Sequence, residues 1–333
     1  VGNLPHYRYR LGPRASGEIP SIKGIKVRIG EDARKCVVFF GTPTPGGGTA
    51  YGGTGFLVSF PHEEFTSHYV VTCRHVASRL DPGFFIRANT KSGEAENIPV
   101  DTIEWVYHPD PTVDVAVASL LIYDWHWERT YLPAALFFNA ETDKYGGILC
   151  GDPISIVGLF RLHVGAKRNI PIVHTGNISA LADHTERIPL KDRSTGKLTQ
   201  VEGHLVEAQT LEGLSGSPVF IRRFIGMPFI KGARDESAIA YGEVDLLGMY
   251  QGAWDAEPGI ILEADRNLQG KNMRIPLGMG IVVPGDKIMD VIEGKKFSDQ
   301  RVKEAEEERL KKAATTDDAF PVAPSSGDNP KHR

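Results

Sequence analysis

Between about residues 34 and 284 the chain is a succession of short β-prone apolar runs, each closed by a Gly- or Pro-rich turn, with almost no helical period. Such runs are Cys36 to Phe40, Gly55 to Phe60, Tyr69 to Cys73, Phe84 to Ala88, Val115 to Leu121 and Ile154 to Leu159. Others are Ile170 to His174, Leu205 to Ala208, Val219 to Arg222, Ala238 to Tyr250 and Gly278 to Val283. Runs of this length bounded by turn residues read as strands, and 36 glycines and 22 prolines supply the turns. Strand after strand without intervening helices predicts an all-β sandwich or barrel. A length of 333 residues, 41% of them hydrophobic, suffices for two cores. Two barrels would fill about 31 to 285, meeting after the loop Asn139 to Gly147.

The flanks differ. Residues 1–30 read as an extended basic arm. The segment Asp286 to Ile292 places Ile288, Met289, Val291 and Ile292 on roughly one face of a helix. Residues 298–313, rich in Glu, Lys and Arg, read as a solvated helix, and the Pro- and Ser-rich residues from Thr315 as a disordered tail. The expected division is therefore an arm (1–30), a first barrel (31–145), a second barrel with a closing helix (146–295), and a charged helix with a disordered tail (296–333). The segment Ile188 to Gly203 reads as a long hairpin turning at Ser194-Thr195-Gly196.

Several function classes are disfavoured. Lys and Arg number 38 against 42 Asp and Glu, a net charge of −4, which argues against a nucleic-acid backbone or an anionic membrane as partner. No stretch is long and apolar enough to span a bilayer. The three cysteines, Cys36, Cys73 and Cys150, are odd in number and far apart, a pattern of a reducing compartment rather than of a disulfide framework. Cytoplasmic residence is favoured on that basis, with a secreted or periplasmic location as the alternative. No Cys or His spacing suits zinc. The Gly-rich segment Pro45 to Gly55 lacks the Lys-Ser/Thr pair of a phosphate loop and reads as a hairpin. No cofactor or metal is expected, and the oligomeric state is not legible.

Three local motifs carry chemistry. Tyr69-Val70-Val71-Thr72-Cys73-Arg74-His75-Val76-Ala77 runs an apolar strand into a histidine. Val113-Asp114-Val115-Ala116-Val117-Ala118 puts an acid at the mouth of a buried strand; nearby Asp110, between Pro109 and Pro111, suits an exposed turn. Glu212-Gly213-Leu214-Ser215-Gly216-Ser217-Pro218-Val219 frames a serine with glycines. A serine hydroxyl attacks a carbonyl only when a neutral imidazole within hydrogen-bond reach takes its proton. An acid behind the imidazole sets its tautomer and stabilises the imidazolium. Glycine before the serine lets the backbone present the Gly213 and Ser215 N–H groups to a developing oxyanion. His75, Asp114 and Ser215 are the candidates, Ser217 being the rival nucleophile and Cys73 a small core residue.

The order His, Asp, Ser resembles that of the trypsin-like (chymotrypsin-fold) serine peptidases, particularly the bacterial HtrA-like branch; subtilisins and α/β-hydrolases use other orders. Gly53-Thr54-Gly55-Phe56-Leu57-Val58 resembles the strand that precedes the histidine in this family. Thr175-Gly176-Asn177-Ile178-Ser179-Ala180-Leu181 resembles a second-barrel strand, and Met279-Gly280-Ile281-Val282-Val283-Pro284 the last strand before a closing helix. The resemblance implies two six-stranded antiparallel β-barrels of chymotrypsin type with a short C-terminal helix, and an endopeptidase acting on polypeptide substrates. No PDZ-like domain is expected after the peptidase, because the residues that follow it read as a charged helix and tail. Leu214 stands where many activated enzymes carry an aspartate that pairs with a new N-terminus, so zymogen activation of that kind is not expected. The resemblance also implies Gln209, with Thr210 beside it, at the base of the primary pocket. An uncharged amide there argues against a preference for Arg or Lys. It implies Tyr250, Gln251 and Gly252 as the edge on which a peptide pairs. The alternative reading is a catalytically silent peptide-binding or scaffolding module on the same fold.

Overall fold

The computed structural model describes residues 30–62, 65–80, 83–120, 122, 125–138, 148–191, 197–209, 211–222, 244–256 and 275–317. Strands dominate. β1 (Val37–Pro43), β2 (Thr49–His62), β3 (Phe65–Thr72), β4 (Phe84–Asn89), β5 (Ala95–Val100), β6 (Val106–Tyr107), β7 (Ala116–Ser119) and β8 (Leu132–Pro133) form one sheet. Its order is β5-β4-β1-β2-β3-β7-β6, with β8 added parallel to β2. β9 (Pro153–Gly158) and β10 (Ile172–Ala180) begin the second unit. A separate hairpin, β11 (Ile188–Lys191) and β12 (Leu198–Val201), interrupts it. With β13 (His204–Glu207), β14 (Ser217–Arg222), β15 (Val244–Ala256) and β16 (Ile275–Pro284), β9 and β10 close into a six-stranded barrel ordered β10-β13-β16-β15-β14-β9. The all-β class and the second barrel follow the sequence reading. The first unit differs in detail. It has eight strands, and its end strands β5 and β6 do not pair with each other among the described residues. β5 is mostly exposed or half-buried, with Pro99 in it, as suits an edge, and β6 spans only Val106–Tyr107.

The strands of the second barrel that face the first unit are apolar on both sides, and this is what fuses the units. Ile156, Val219, Leu247, Tyr250 and Val282 belong to the core inside the barrel. Their neighbours Val157, Phe220, Leu246, Met249 and Val283 join the cluster built from Phe39, Phe56, Val71 and Val117 of the first sheet. A period of 2 separates the two sets along each strand. A bulge opposite Val219/Phe220 shifts that phase, so that Leu246 and Met249 share the outward face.

α3 (Gly285–Ile292) follows β16 and buries Ile288, Val291 and Ile292; α1 (Glu31–Lys35) and α2 (Arg74–Ala77) are single turns earlier in the chain. α4 (Lys295–Asp317) corrects the expectation of a wholly solvated charged helix. Its first turns bury Phe297, Arg301 and Ala305, spaced four apart, the first two against β2 and β3. Arg301 Nη1 donates to the Tyr69 hydroxyl and to the Ile292 carbonyl, both at 2.8 Å, and its guanidinium lies over the Phe60 ring at 4.5 Å. A delocalised cation with two charge-assisted hydrogen bonds from one nitrogen and its plane on an aromatic ring tolerates burial that lysine would not. Beyond Ala305 the described residues 306, 307, 309 and 310 are exposed. No described helix is long and apolar enough to cross a membrane.

His204 opens β13 in a buried position, where its Nδ1 accepts the Ala182 N–H at 3.0 Å. Burial lowers its pKa to about 4. The unfolded chain, with an ordinary imidazole, takes up the proton first as pH falls. Stability is therefore full above about 6.5 and falls as pH drops towards 4, by roughly 3 kcal/mol in all. Urea unfolding at pH 7 and 4.5 should show this loss in wild type and a smaller one in His204→Asn. Arg301→Leu keeps bulk but strips the Tyr69 hydroxyl and the Ile292 carbonyl of their donor. It should cost about 1–3 kcal/mol, read as a lower Tm, and the loss should not add to that of Tyr69→Phe.

Candidate active site

β3 delivers Cys73 in extended conformation, and the Cys73 carbonyl caps α2 by accepting the Val76 and Ala77 N–H groups at 3.0 and 2.9 Å. The turn presents His75. Its backbone N–H donates to Asp114 Oδ1 at 2.9 Å and its Nδ1 meets Asp114 Oδ2 at 2.6 Å. One carboxylate thus holds both the main chain and the ring of His75. With Nδ1–H donated to the carboxylate, the neutral ring has a bare Nε2. The Asp114 side chain is 12% exposed and that of His75 38%, so the acid lies behind and the ring reaches solvent. Asp110 is engaged elsewhere. Its carboxylate accepts the N–H and hydroxyl of Thr112 at 2.8 and 2.7 Å, bonds that hold its pKa below the usual value.

Cys73 lies fully buried beside this pair and its thiol donates to the Tyr250 carbonyl at 3.5 Å. Cys73, His75 and Asp114 form the group of metal-ligand side chains found among the described residues, their ligand atoms within 4.8 Å of one another. Burial, and then the charge of Asp114, push the thiol pKa well up, so the trio is built around a neutral thiol and an imidazole–carboxylate hydrogen bond.

Ser215 lies in the loop 211–216, ahead of β14. Every carbonyl from 212 to 215 in that loop is taken. Glu212 O accepts Arg161 N–H at 3.2 Å, Leu214 O accepts Ser217 N–H at 2.9 Å and Ser215 O accepts Thr54 N–H at 3.0 Å. Gly213 O accepts the Thr54 hydroxyl at 2.7 Å. The N–H groups of 212 to 215, those of Gly213 and Ser215 among them, in contrast donate to no described residue. Gly213 and Gly216 have φ of +100° and +90°, the region that glycine adopts without strain. Leu214 is buried in the barrel core.

Ser215 Oγ faces β15, where a Cβ on Gly252 would sit 4.0 Å from it. Ser217 is fully buried, its hydroxyl directed at Gly158, which removes it from contact with a substrate. Among the described residues no hydrogen bond joins the Ser215 hydroxyl to His75. The two motifs meet at the Tyr250 carbonyl, which accepts both the Gly216 N–H at 2.9 Å and the Cys73 thiol.

The remaining sequence candidates are less gathered. Gln209 is exposed just past β13, and Thr210 lies outside the described residues. Tyr250 is buried, its ring against Gly280; Gln251 and Gly252 are half-buried, Gly252 facing the Ser215 hydroxyl. Three contributors went unread. Thr54 was legible only as a strand residue, Leu159 only as the end of an apolar run, and Arg161, whose N–H holds the Glu212 carbonyl, carries no local signal. The expected hairpin is β11–β12, its Ile188 and Val201 packed on Ile281 near Trp254.

A sequence model of the trypsin-like peptidase domain matches residues 53–227, more than half of the 333 residues. The chain belongs to the trypsin-like peptidase family. No curated protein sequence matches it. Among solved structures, the active form of the Rv3671c protease from M. tuberculosis is similar at 17% identity and a TM-score of 0.44, over 79% of this chain and 82% of that one. Its inactive form is also 17% identical, with a TM-score of 0.40, over 78% and 89%. A structure named HBP is 11% identical with a TM-score of 0.42, over 80% and 94%.

The thiols differ in access and in ease of ionisation. Cys36 and Cys73 are buried, with pKa values raised by that burial, whereas Cys150 is exposed. Iodoacetamide on the native protein should modify Cys150 alone, and unfolding should release the other two to the reagent, as read by intact-mass spectrometry.

Proposed function

We propose that this peptidase is a serine endopeptidase that works through an acyl-enzyme on Ser215. The observation that carries the reading is the serine loop. Its carbonyls from 212 to 215 each hold a donor while the Gly213 and Ser215 N–H groups stay open, as suits a receptor for negative charge that forms only during reaction.

In this reading the Ser215 hydroxyl attacks the scissile carbonyl while its proton moves to His75 Nε2. Asp114 keeps Nδ1–H in place and stabilises the imidazolium. The former carbonyl oxygen becomes an oxyanion held by the two open N–H groups. Collapse breaks the C–N bond, the leaving amine takes the proton from Nε2, and an ester remains on Ser215. Water then attacks with His75 again as base, releasing the acid and restoring the hydroxyl. An apo site whose serine–histidine bond is unformed fits this scheme, because such bonds tighten when substrate arrives. Gln251 and Gly252 supply the edge for an extended peptide. Gln209 sets the pocket base, which favours an uncharged residue over Arg or Lys before the cleaved bond.

A fluorophosphonate probe should label wild type at Ser215 and spare Ser215→Ala and Ser215→Cys. Asp114→Asn should keep the fold and lower kcat by about 10⁴ by stabilising the wrong tautomer. Peptide affinity in folded protein without labelling or turnover would instead identify a silent binding module.

A further inference from the structure

The Gly-Thr-Gly stretch of β2 leads directly to this loop although the two are far apart in the chain. Thr54 is fully buried and uses every polar atom it has. Its N–H holds the Ser215 carbonyl. Its hydroxyl donates to the Gly213 carbonyl at 2.7 Å and accepts the Leu159 N–H at 3.0 Å. Its carbonyl accepts the Thr72 hydroxyl at 2.7 Å. The Leu159 N–H fills an acceptor site of the hydroxyl, so the single proton is committed to Gly213.

We propose that Thr54 is the positioning residue that keeps the serine loop in its donor-open form. The argument is one of peptide planes. In a trans peptide the N–H points opposite to the carbonyl. The Gly213 N–H shares a plane with the Glu212 carbonyl, which Arg161 N–H holds. The Ser215 N–H shares one with the Leu214 carbonyl, which Ser217 N–H holds. Between them lies the Gly213–Leu214 peptide, next to a glycine at φ +100° that could rotate freely. Its carbonyl anchor is the Thr54 hydroxyl. The same hydroxyl fixes Leu159, two residues from Arg161, so it steadies the first plane from behind. The side-chain link from Arg161 to Glu212 is exposed at both ends (56% and 80%) and adds little. Thr54 touches no substrate; it acts through Gly213, Ser215 and Leu159.

This inference rests on the serine-peptidase reading, and the test separates the two. Thr54→Val keeps the shape and removes the hydroxyl; Thr54→Ser keeps the hydroxyl. Thr54→Val should lower kcat about tenfold or more, part of the 10²–10³ lost with a whole oxyanion donor. KM should stay within about twofold. Affinity for a peptide boronic acid, whose adduct mimics the tetrahedral state, should fall with kcat. Peptide affinity measured on a Ser215→Ala background should not change, and Thr54→Ser should restore most of the loss. Thr54→Val with wild-type kcat and boronate affinity would overturn the proposal. So would an equal loss of peptide affinity, which would mark general disorder. Amide exchange at Gly216 and Ser217, both hydrogen-bonded in this loop, gives a readout that needs no chemistry. It should quicken in Thr54→Val and not in Thr54→Ser. Should wild type fail to react with the fluorophosphonate, the serine-peptidase reading falls, and exchange still decides whether Thr54 anchors the loop.

Discussion

The interaction on which the rest depends is the apolar contact between the outer face of the second barrel and the first sheet. Val157, Phe220, Leu246, Met249 and Val283 leave water not by facing into their own barrel but by packing against residues such as Phe39, Phe56 and Val71. Burial of several large side chains at about 1.5–3 kcal/mol each makes the seam part of a shared core rather than a soft boundary between domains. Short hydrogen bonds can then be held across it without the entropy of aligning two mobile bodies.

The site is built in that seam. Thr54 and Cys73, from the first sheet, reach the Gly213 and Tyr250 carbonyls of the second unit, and Gly216 shares the Tyr250 carbonyl with the Cys73 thiol. The histidine and acid come from one unit and the serine loop from the other. Their relative placement is therefore set by packing first and by a few polar contacts second. A peptidase fold of this kind gains its reactive geometry from rigidity on either side of a cleft.

Much of this was legible in the residues. The apolar runs foretold most strands, and the motifs around His75, Asp114 and Ser215 stood at strand ends, where side chains leave the sheet. The choice of Asp114 over Asp110 followed from the alternating Val115-Ala116-Val117-Ala118 behind it, and only Asp114 contacts His75. Other features were hidden for physical reasons. β5 carries Glu96 and Asn97 side by side and a proline, and only Val100 in it is buried, so no alternating pattern marks it. Arg301 sits in a run of charges and looks solvated, yet Tyr69, Ile292 and Phe60 bury it. The bonds of Thr54 join residues 159 positions apart, and nothing local marks a threonine whose hydroxyl works in another unit.

The glycine after the serine illustrates how far that interdependence goes. A Cβ at Gly216 would stand 2.0 Å from the Thr54 carbonyl and 2.5 Å from the Thr72 hydroxyl. The obstacle therefore comes from the neighbouring sheet as well as from the turn's own dihedral angle. Gly-x-Ser-Gly in this chain is thus half of a joint surface whose other half is written more than a hundred residues earlier. Any lineage that enlarged the glycine would have to reshape β2 and β3 at the same time, so the two halves of the molecule are bound to drift together.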